Sequence, residues 1–523
     1  MGKILDQTIK RWDGGIEDDA RTPPRNGGAL VKHFDIFSNP YKLTPYRSTE
    51  ADHATNVSAT DAKQYDIRHF QLASTGLLYG LGKEGNGYPK VLRKADPTTG
   101  NWLSSNGGDA ATAEGEGDAA RITGCFIEWA SAFWFFQGTN QLAKVLTADG
   151  VITNSVTTVG STITSVAQGV VGPDDNLYLF YNNKVVRVDN TGTPSDDVLT
   201  NLPSDMRITC AASIGTYIAI GMAYGTSDTA SPTGRSKVFI WDMTTTDDIN
   251  DVIDWGEGAL MCLGNIEGRL VGVSNNALET PSGLTSLAVG KGAMTVRMWN
   301  GSVAQVMKEM IANQSVTLGR FIRDVVIKNN KMYWVASVPF GLSTSTESTY
   351  HIGIWCFGRK NVNSDFALTL DYIADSVLDS SNYYINSFGA AGNYWFINHS
   401  ADFSIAKTDD TANFTETSTY DTVIMNLEDS SVTKKLVGVT LYTEPIPSGG
   451  SVTVAYRIDN ETSYTTIFTN TTQNDIRHSA INIESSGAEL PDFKELQLRI
   501  TCTGGVEITG LRFRAEVIED DIY

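Results

Sequence analysis

Sixty Asp and Glu side chains among 523 residues supply the raw material for acid–base chemistry. Glycoside hydrolysis needs two carboxylates held on either side of a scissile bond, or a tyrosine nucleophile in the sialidase variant. With so many acids, chance pairs are guaranteed, and composition cannot pick out a catalytic one. The repeated S-x-D-x-G-x-T-W turn of sialidases is missing, and no arginine cluster is marked out for a substrate carboxylate. On these grounds the sequence reads as no enzyme.

The other chemistries fare similarly. Six histidines (His33, His53, His69, His351, His399 and His478) are dispersed, with no H-x-x-x-H or H-E-x-x-H to aim two imidazoles at one metal. No G-x-S-x-G presents a serine nucleophile. The Gly-rich run Glu114-Gly115-Glu116-Gly117-Asp118 lacks the Lys-Ser/Thr of a phosphate loop, and its carboxylates would repel an anion. Asp242, Asp247, Asp248, Asp251 and Asp254 offer oxygens to a hard cation but miss the EF-hand spacing, so they read as a solvated loop. Cys125, Cys210, Cys262, Cys356 and Cys502 stand far apart and read as small buried hydrophobes. No cofactor and no metal are expected.

Forty basic residues leave a net charge of −20, which argues against a phosphate-tracking nucleic-acid binder. No apolar run reaches the ~18 residues of a membrane span. The opening Met1-Gly2-Lys3-Ile4-Leu5-Asp6 has no signal-like apolar segment, so synthesis in a cytoplasm without an export address is expected. Twenty Tyr and ten Trp give capacity to bind glycan faces, although most of the Trp lie in apolar strands and read as core.

These residues must be positioned by strands. One segment, 303–314, places Val303, Val306, Met307, Met310 and Ile311 at helical spacing and predicts a helix. Elsewhere a turn precedes a short apolar run, as in Ser131-Ala132-Phe133-Trp134-Phe135-Phe136 and Asn329-Asn330-Lys331-Met332-Tyr333-Trp334-Val335. Partner strands such as Lys237-Val238-Phe239-Ile240-Trp241 follow. The unit recurs about seven times at a spacing of roughly 40 to 65 residues, the signature of a β-propeller of six to eight blades. Residues 41–47 or 66–72 are expected to supply the strand that closes the ring. From about residue 420 alternating strands with Gly and Pro at the corners predict a β-sandwich. The organisation expected is therefore all-β: an extended N-terminal arm (1–32), a propeller (33–419), and a sandwich with an acidic tail (420–523).

Two N-terminal stretches carry a resemblance. Trp12-Asp13-Gly14-Gly15-Ile16, and the run from His33-Phe34-Asp35-Ile36-Phe37 through Pro40-Tyr41-Lys42-Leu43-Thr44-Pro45-Tyr46-Arg47, resemble the openings of virion proteins of tailed bacteriophages. Residues 434–513 resemble the sandwich that follows the propeller in such proteins. The resemblance implies a structural protein of the virion, assembling as a ring of its own copies at the tail, tail tip or connector. Its partners would be other tail or connector proteins. Trp12, Ile16, Arg21, Arg25, Phe34, Phe37, Tyr41, Tyr46 and Arg47 would then make the assembly contacts, with the arm docked on a neighbouring subunit. A host-surface glycan or receptor reader on the same scaffold is the alternative, and a propeller glycosidase the third reading.

Overall fold

The computed structural model describes residues 3–16, 27–53, 66–83, 89–94, 96–97, 102–109, 125–138, 140–148, 152–224, 235–275, 285–286, 292–311, 317–318, 325–339, 350–373, 385–399, 405–408, 414, 417–427, 430–459, 461, 463–481 and 492–518. Among the described residues every helix or strand is a β-strand. Residues 114–118, 225–234 and 519–523, and with them Arg21 and Arg25, lie outside this set.

Among the described residues seven antiparallel four-strand units, called blades below, can be followed along the chain, one of them within a larger sheet. The first six draw their strands from 66–109, 127–158, 166–195, 206–257, 259–311 and 326–373; the seventh combines three strands of 385–408 with Thr49–His53. In several blades a hairpin leads from the first strand into a more buried second strand. Ala130-Ser131, Glu267-Gly268 and Asn329-Asn330 have positive φ at both turn positions, the primed geometry that suits twisted hairpins. The second strands, such as Ala132–Gln137 and Leu177–Tyr181, are buried at every position. That two-sided burial is why they read as continuous apolar runs.

The described part of the expected helix, residues 303–311, is not helical, and 312–314 lie outside the described residues. Ala304–Ile311 forms the outer strand of the fifth blade, paired with Gly292–Trp299. Lys308 and Met310 are buried while Val303 and Val306 are 57% and 46% exposed, so the residues of the helical stripe are split between core and solvent. Over so short a stretch apolar spacing alone could not separate the two periods, and strand pairing decided.

Ring closure also differs from expectation. Thr49–His53 pairs antiparallel with Ile405–Thr408 as the outermost strand of the seventh blade. Asp66–Leu72 is instead the innermost strand of the first blade, and Thr44–Pro45 pairs only with Phe34–Asp35. At the seam Ser387 Oγ donates to Ile67 O at 2.7 Å. The seam is so close that a Cβ on Gly389 would lie 2.5 Å from that of Phe70. Asp52, on the closing strand, pairs with the Lys94 ammonium and accepts Trp102 Nε1 at 2.7 Å. Both charges are nearly inaccessible to solvent.

The expected N-terminal arm is part of the fold. Ile4–Ile9 pairs antiparallel with Ile508–Val517, beside Lys434–Thr443 and Arg477–Ile481, in a first sheet. Gly27–Lys32 pairs with Ser418–Thr422, beside Leu496–Thr503, Ser451–Ile458 and Thr465–Asn470, in a second. Leu5, Val439, Leu441, Leu511 and Phe513 of the first sheet share a buried cluster with Tyr420, Val454, Leu498 and Ile500 of the second. The arm was expected to dock on another copy because its polar, Gly-rich stretches suggest no element. Its alternating Ile4-Leu5-Asp6-Gln7-Thr8-Ile9 instead completes a sheet of its own chain.

Candidate functional site

The second sheet does not end at the two-layer unit. Through a parallel bridge between Lys32 and Leu370 it continues into the sixth blade as one ten-stranded sheet. The side chains that surround this bridge form a buried polar cluster. His33 leaves the sheet with φ +61°, a left-handed turn that aims the chain toward the ring. Its amide donates to Leu370 O at 2.8 Å, and its own carbonyl accepts Tyr46 N at 3.2 Å and Ser418 Oγ at 2.9 Å.

Asp371 sits at the centre, 1% exposed. Thr369 Oγ1 donates to one carboxyl oxygen at 2.5 Å and Tyr46 OH to the other at 2.9 Å. Burial pushes this carboxyl up to about 7, against those two hydrogen bonds and with the charge of Asp35 adding to the rise. His33 Nδ1 lies 3.1 Å from the Asp371 carbonyl, which can only accept, so Nδ1 carries the proton. Burial drives this imidazole down to about 4, and its Nε2 is buried without a partner. At neutral pH the histidine is uncharged and the carboxyl is near its midpoint. Tyr46, Tyr372, Trp395 and Tyr333 meet in series in tilted ring contacts around the pair, with centroids 4.8, 6.3 and 4.7 Å apart.

This cluster is closed to solvent, so it cannot reach a macromolecular substrate. What it can do is fix an angle: it ties the last residues of the second sheet, the 33–46 connection and the sixth blade into one knot. The residues expected to make assembly contacts fall largely here. Phe34 and Phe37 are buried, Phe37 under the Lys331 ammonium at 4.1 Å. Trp12 is fully buried edge-on to Tyr420 at 4.9 Å, and Ile16 is fully buried. Tyr46 belongs to the knot, whereas Tyr41 and Arg47 are exposed. Asp371, Thr369 and His33 were missed as a group. The available signal was a lone acid inside the apolar strand Ala-Leu-Thr-Leu-Asp-Tyr-Ile, since an unpaired carboxylate is costly in a core.

Two of the other acidic candidates hold local structure. Asp242 accepts Thr244 N at 3.0 Å and Asn250 Nδ2 at 3.0 Å, holding a turn, and Asp254 pairs with Arg235 at 2.7 Å. All five cysteines are buried. Near the ring axis the Gln168 amide of the third blade bonds both N and O of Val325, at the start of the sixth, each at 3.3 Å. The third and sixth blades therefore touch across the axis.

No family model and no curated protein matches the sequence. Among solved structures the chain is similar to the extracellular domain of a hybrid two-component system from B. thetaiotaomicron, at 12% identity and TM-score 0.41. That likeness covers 76% of this chain and 46% of that one, so it takes in less than half of the other protein's length. It is also similar to virginiamycin B lyase from Staphylococcus aureus, at 9% identity, TM-score 0.42, and 69% and 99% coverage. A third likeness is to an exo-β-1,3-galactanase from Phanerochaete chrysosporium, at 11% identity, TM-score 0.27, and 89% and 100% coverage. At such scores these likenesses carry no argument for a particular activity. They do correct one expectation: the similar structures include a galactanase and a lyase, so the reading as no enzyme does not stand.

Proposed function

We propose that this protein is a rigid assembly component that holds two surfaces at a fixed angle, with the tailed-bacteriophage virion as the setting that its N-terminal motifs resemble. The observation that carries this reading is the joint at Lys32–Leu370, where one sheet passes from the two-layer unit into the ring and is wrapped by His33, Tyr46 and Asp371. A component that transmits position needs such a joint, because a flexible linker between modules would let the two surfaces wander. Both ends of the described chain are built into a single sheet, Ile4–Ile9 against Ile508–Val517, which adds to the rigidity.

The test is the mass of the purified chain in solution, by light scattering over a range of concentrations, alongside a glycan array and a polysaccharide-hydrolysis screen. Discrete multimers support the assembly reading. A persistent monomer that binds a glycan would replace it with the receptor reading, and turnover of a polysaccharide would replace it with the glycosidase reading.

A further inference from the structure

The outer face of the first sheet bears an excess of positive charge in a chain whose net charge is −20. Along Ile508–Val517 the buried Leu511, Phe513 and Ala515 alternate with Arg512, Arg514 and Glu516, which therefore point away from the core. Lys435 is paired with Glu516, and Arg477 with Tyr442, on the neighbouring strands. Asp6 on the edge strand pairs with Arg512. Four cations against two carboxylates remain on this face.

The opposite sign gathers on the third and fourth blades. Asp189, Asp242, Asp247, Asp248 and Asp251 all lie in their turns or at the start of the fourth blade's outer strand. Hydrogen bonds from Thr191 and Thr193 hold Asp189, and those from Thr244 and Asn250 hold Asp242, below the usual carboxylate range, so both are anionic at neutral pH. Position matters as much as sign. The two-layer unit is joined to the sixth blade, and the Gln168–Val325 contact places the third blade across the axis from the sixth. The unit that bears the cationic face and the blade that bears part of the anionic rim thus sit on opposite sides of the ring axis.

We infer that the outer face of the first sheet docks on the anionic rim of the third and fourth blades of a second copy of this chain. The inference rests on the assembly reading and specifies its contact. Two unlike surfaces at opposite sides of a rigid body make a heterologous contact, which closes into a ring or propagates as a filament. Complementary charge of this kind sets register and suppresses wrong partners.

The test uses the full chain and two double variants, Arg512→Glu with Arg514→Glu on the face and Asp247→Lys with Asp248→Lys on the rim. Wild type should self-associate at low salt and dissociate as salt rises, because the contact is charge-driven. Each double variant alone should associate at least about tenfold more weakly. An equal mixture of the two should recover association, since each then offers a surface complementary to the other. The Lys substitutions sit on exposed turns, so a folding defect in the Arg variant would leave the rim arm of the test intact. Association that ignores both variants would overturn this contact while leaving the assembly reading in place. A wild-type monomer at every concentration and salt would overturn both.

Discussion

The hydroxyl of Tyr46 donates to the buried carboxyl of Asp371 across 2.9 Å, linking positions 325 residues apart in sequence. One partner lies on the connection leaving the two-layer unit, the other on the outer strand of the sixth blade. This bond is where the two parts of the molecule are tied. Tyr46→Phe removes a hydrogen-bond donor to this carboxyl and should destabilise the chain by about 1–3 kcal/mol. It should also push the Asp371 carboxyl further up, a shift readable by NMR titration. An unchanged titration would mean the hydroxyl does not engage the carboxyl in solution.

The two buried titrating groups have opposite pH signatures. Asp371 is raised from 3.8 to about 7, so the folded state holds a proton the unfolded state has lost, and its stabilising contribution falls as pH rises through that window. His33 is lowered from 6.5 to about 4, so its contribution falls as pH drops through that window. Between about pH 4 and 6.5 the two slopes largely cancel. Burial sets both shifts; the charge of Asp35 adds to the rise of Asp371 and that of Lys331 opposes it, while Lys32 adds to the fall of His33. Asp371→Asn should leave the histidine limb alone, giving stability that climbs with pH over this interval. Denaturant midpoints of the variant that stay flat from acid to neutral pH would contradict the pairing.

His478 should report on the two-layer unit. Asn470 Oδ1 accepts Thr472 N at 2.7 Å, which turns its Nδ2 toward His478 Nδ1, also at 2.7 Å. The ring proton then resides on Nε2 and donates to Thr443 Oγ1 at 2.9 Å. A second proton on Nδ1 would face an N–H, and burial already lowers this pKa below its ordinary 6.5. Stability should therefore fall as pH drops below that value and through the lowered pKa. His478→Gln should blunt the loss in thermal melts taken between neutral and mildly acidic pH.

Ring closure depends on the buried Lys94–Asp52 pair. Asp52→Ala leaves an ammonium in the seam without its anion, and about 3–5 kcal/mol of stability should go with it. Replacing both partners by apolar residues of similar size should restore much of the loss. A double variant as unstable as the single one, measured by urea unfolding, would show that the seam needs the charges themselves.

Removal of residues 1–16 should unfold the two-layer unit rather than free an assembly arm. The deletion strips Leu5, Trp12 and Ile16 from the buried cluster and exposes the edge of Ile508–Val517. Near-ultraviolet circular dichroism that matches the intact chain would argue against this.

The propeller's inner architecture was legible because second strands are buried on both faces and write themselves as apolar runs after Gly, Asn or Asp turns. Thr49–His53 was not, since Thr-Glu-Ala-Asp-His carries no apolar pattern and its partner strand, Ile405–Thr408, comes at the other end of the ring. Trp12, Phe34 and Tyr46 were expected to make assembly contacts, yet each packs within its own chain. Sequence could not say that the surface they cover belongs to their own chain. For Asp371 the oddity of an acid in an apolar strand was visible, but its partners, Tyr46 and His33, come from a segment more than 300 residues away.

The most direct measurement is small-angle X-ray scattering of the monomeric chain at high salt, wild type against Asp371→Ala. The account predicts that wild type scatters as one rigid body whose dimensions match the fixed joint, and that the variant's maximum dimension broadens as the two parts loosen. A wild-type profile that already requires an ensemble of orientations would contradict the locked joint at the centre of this account.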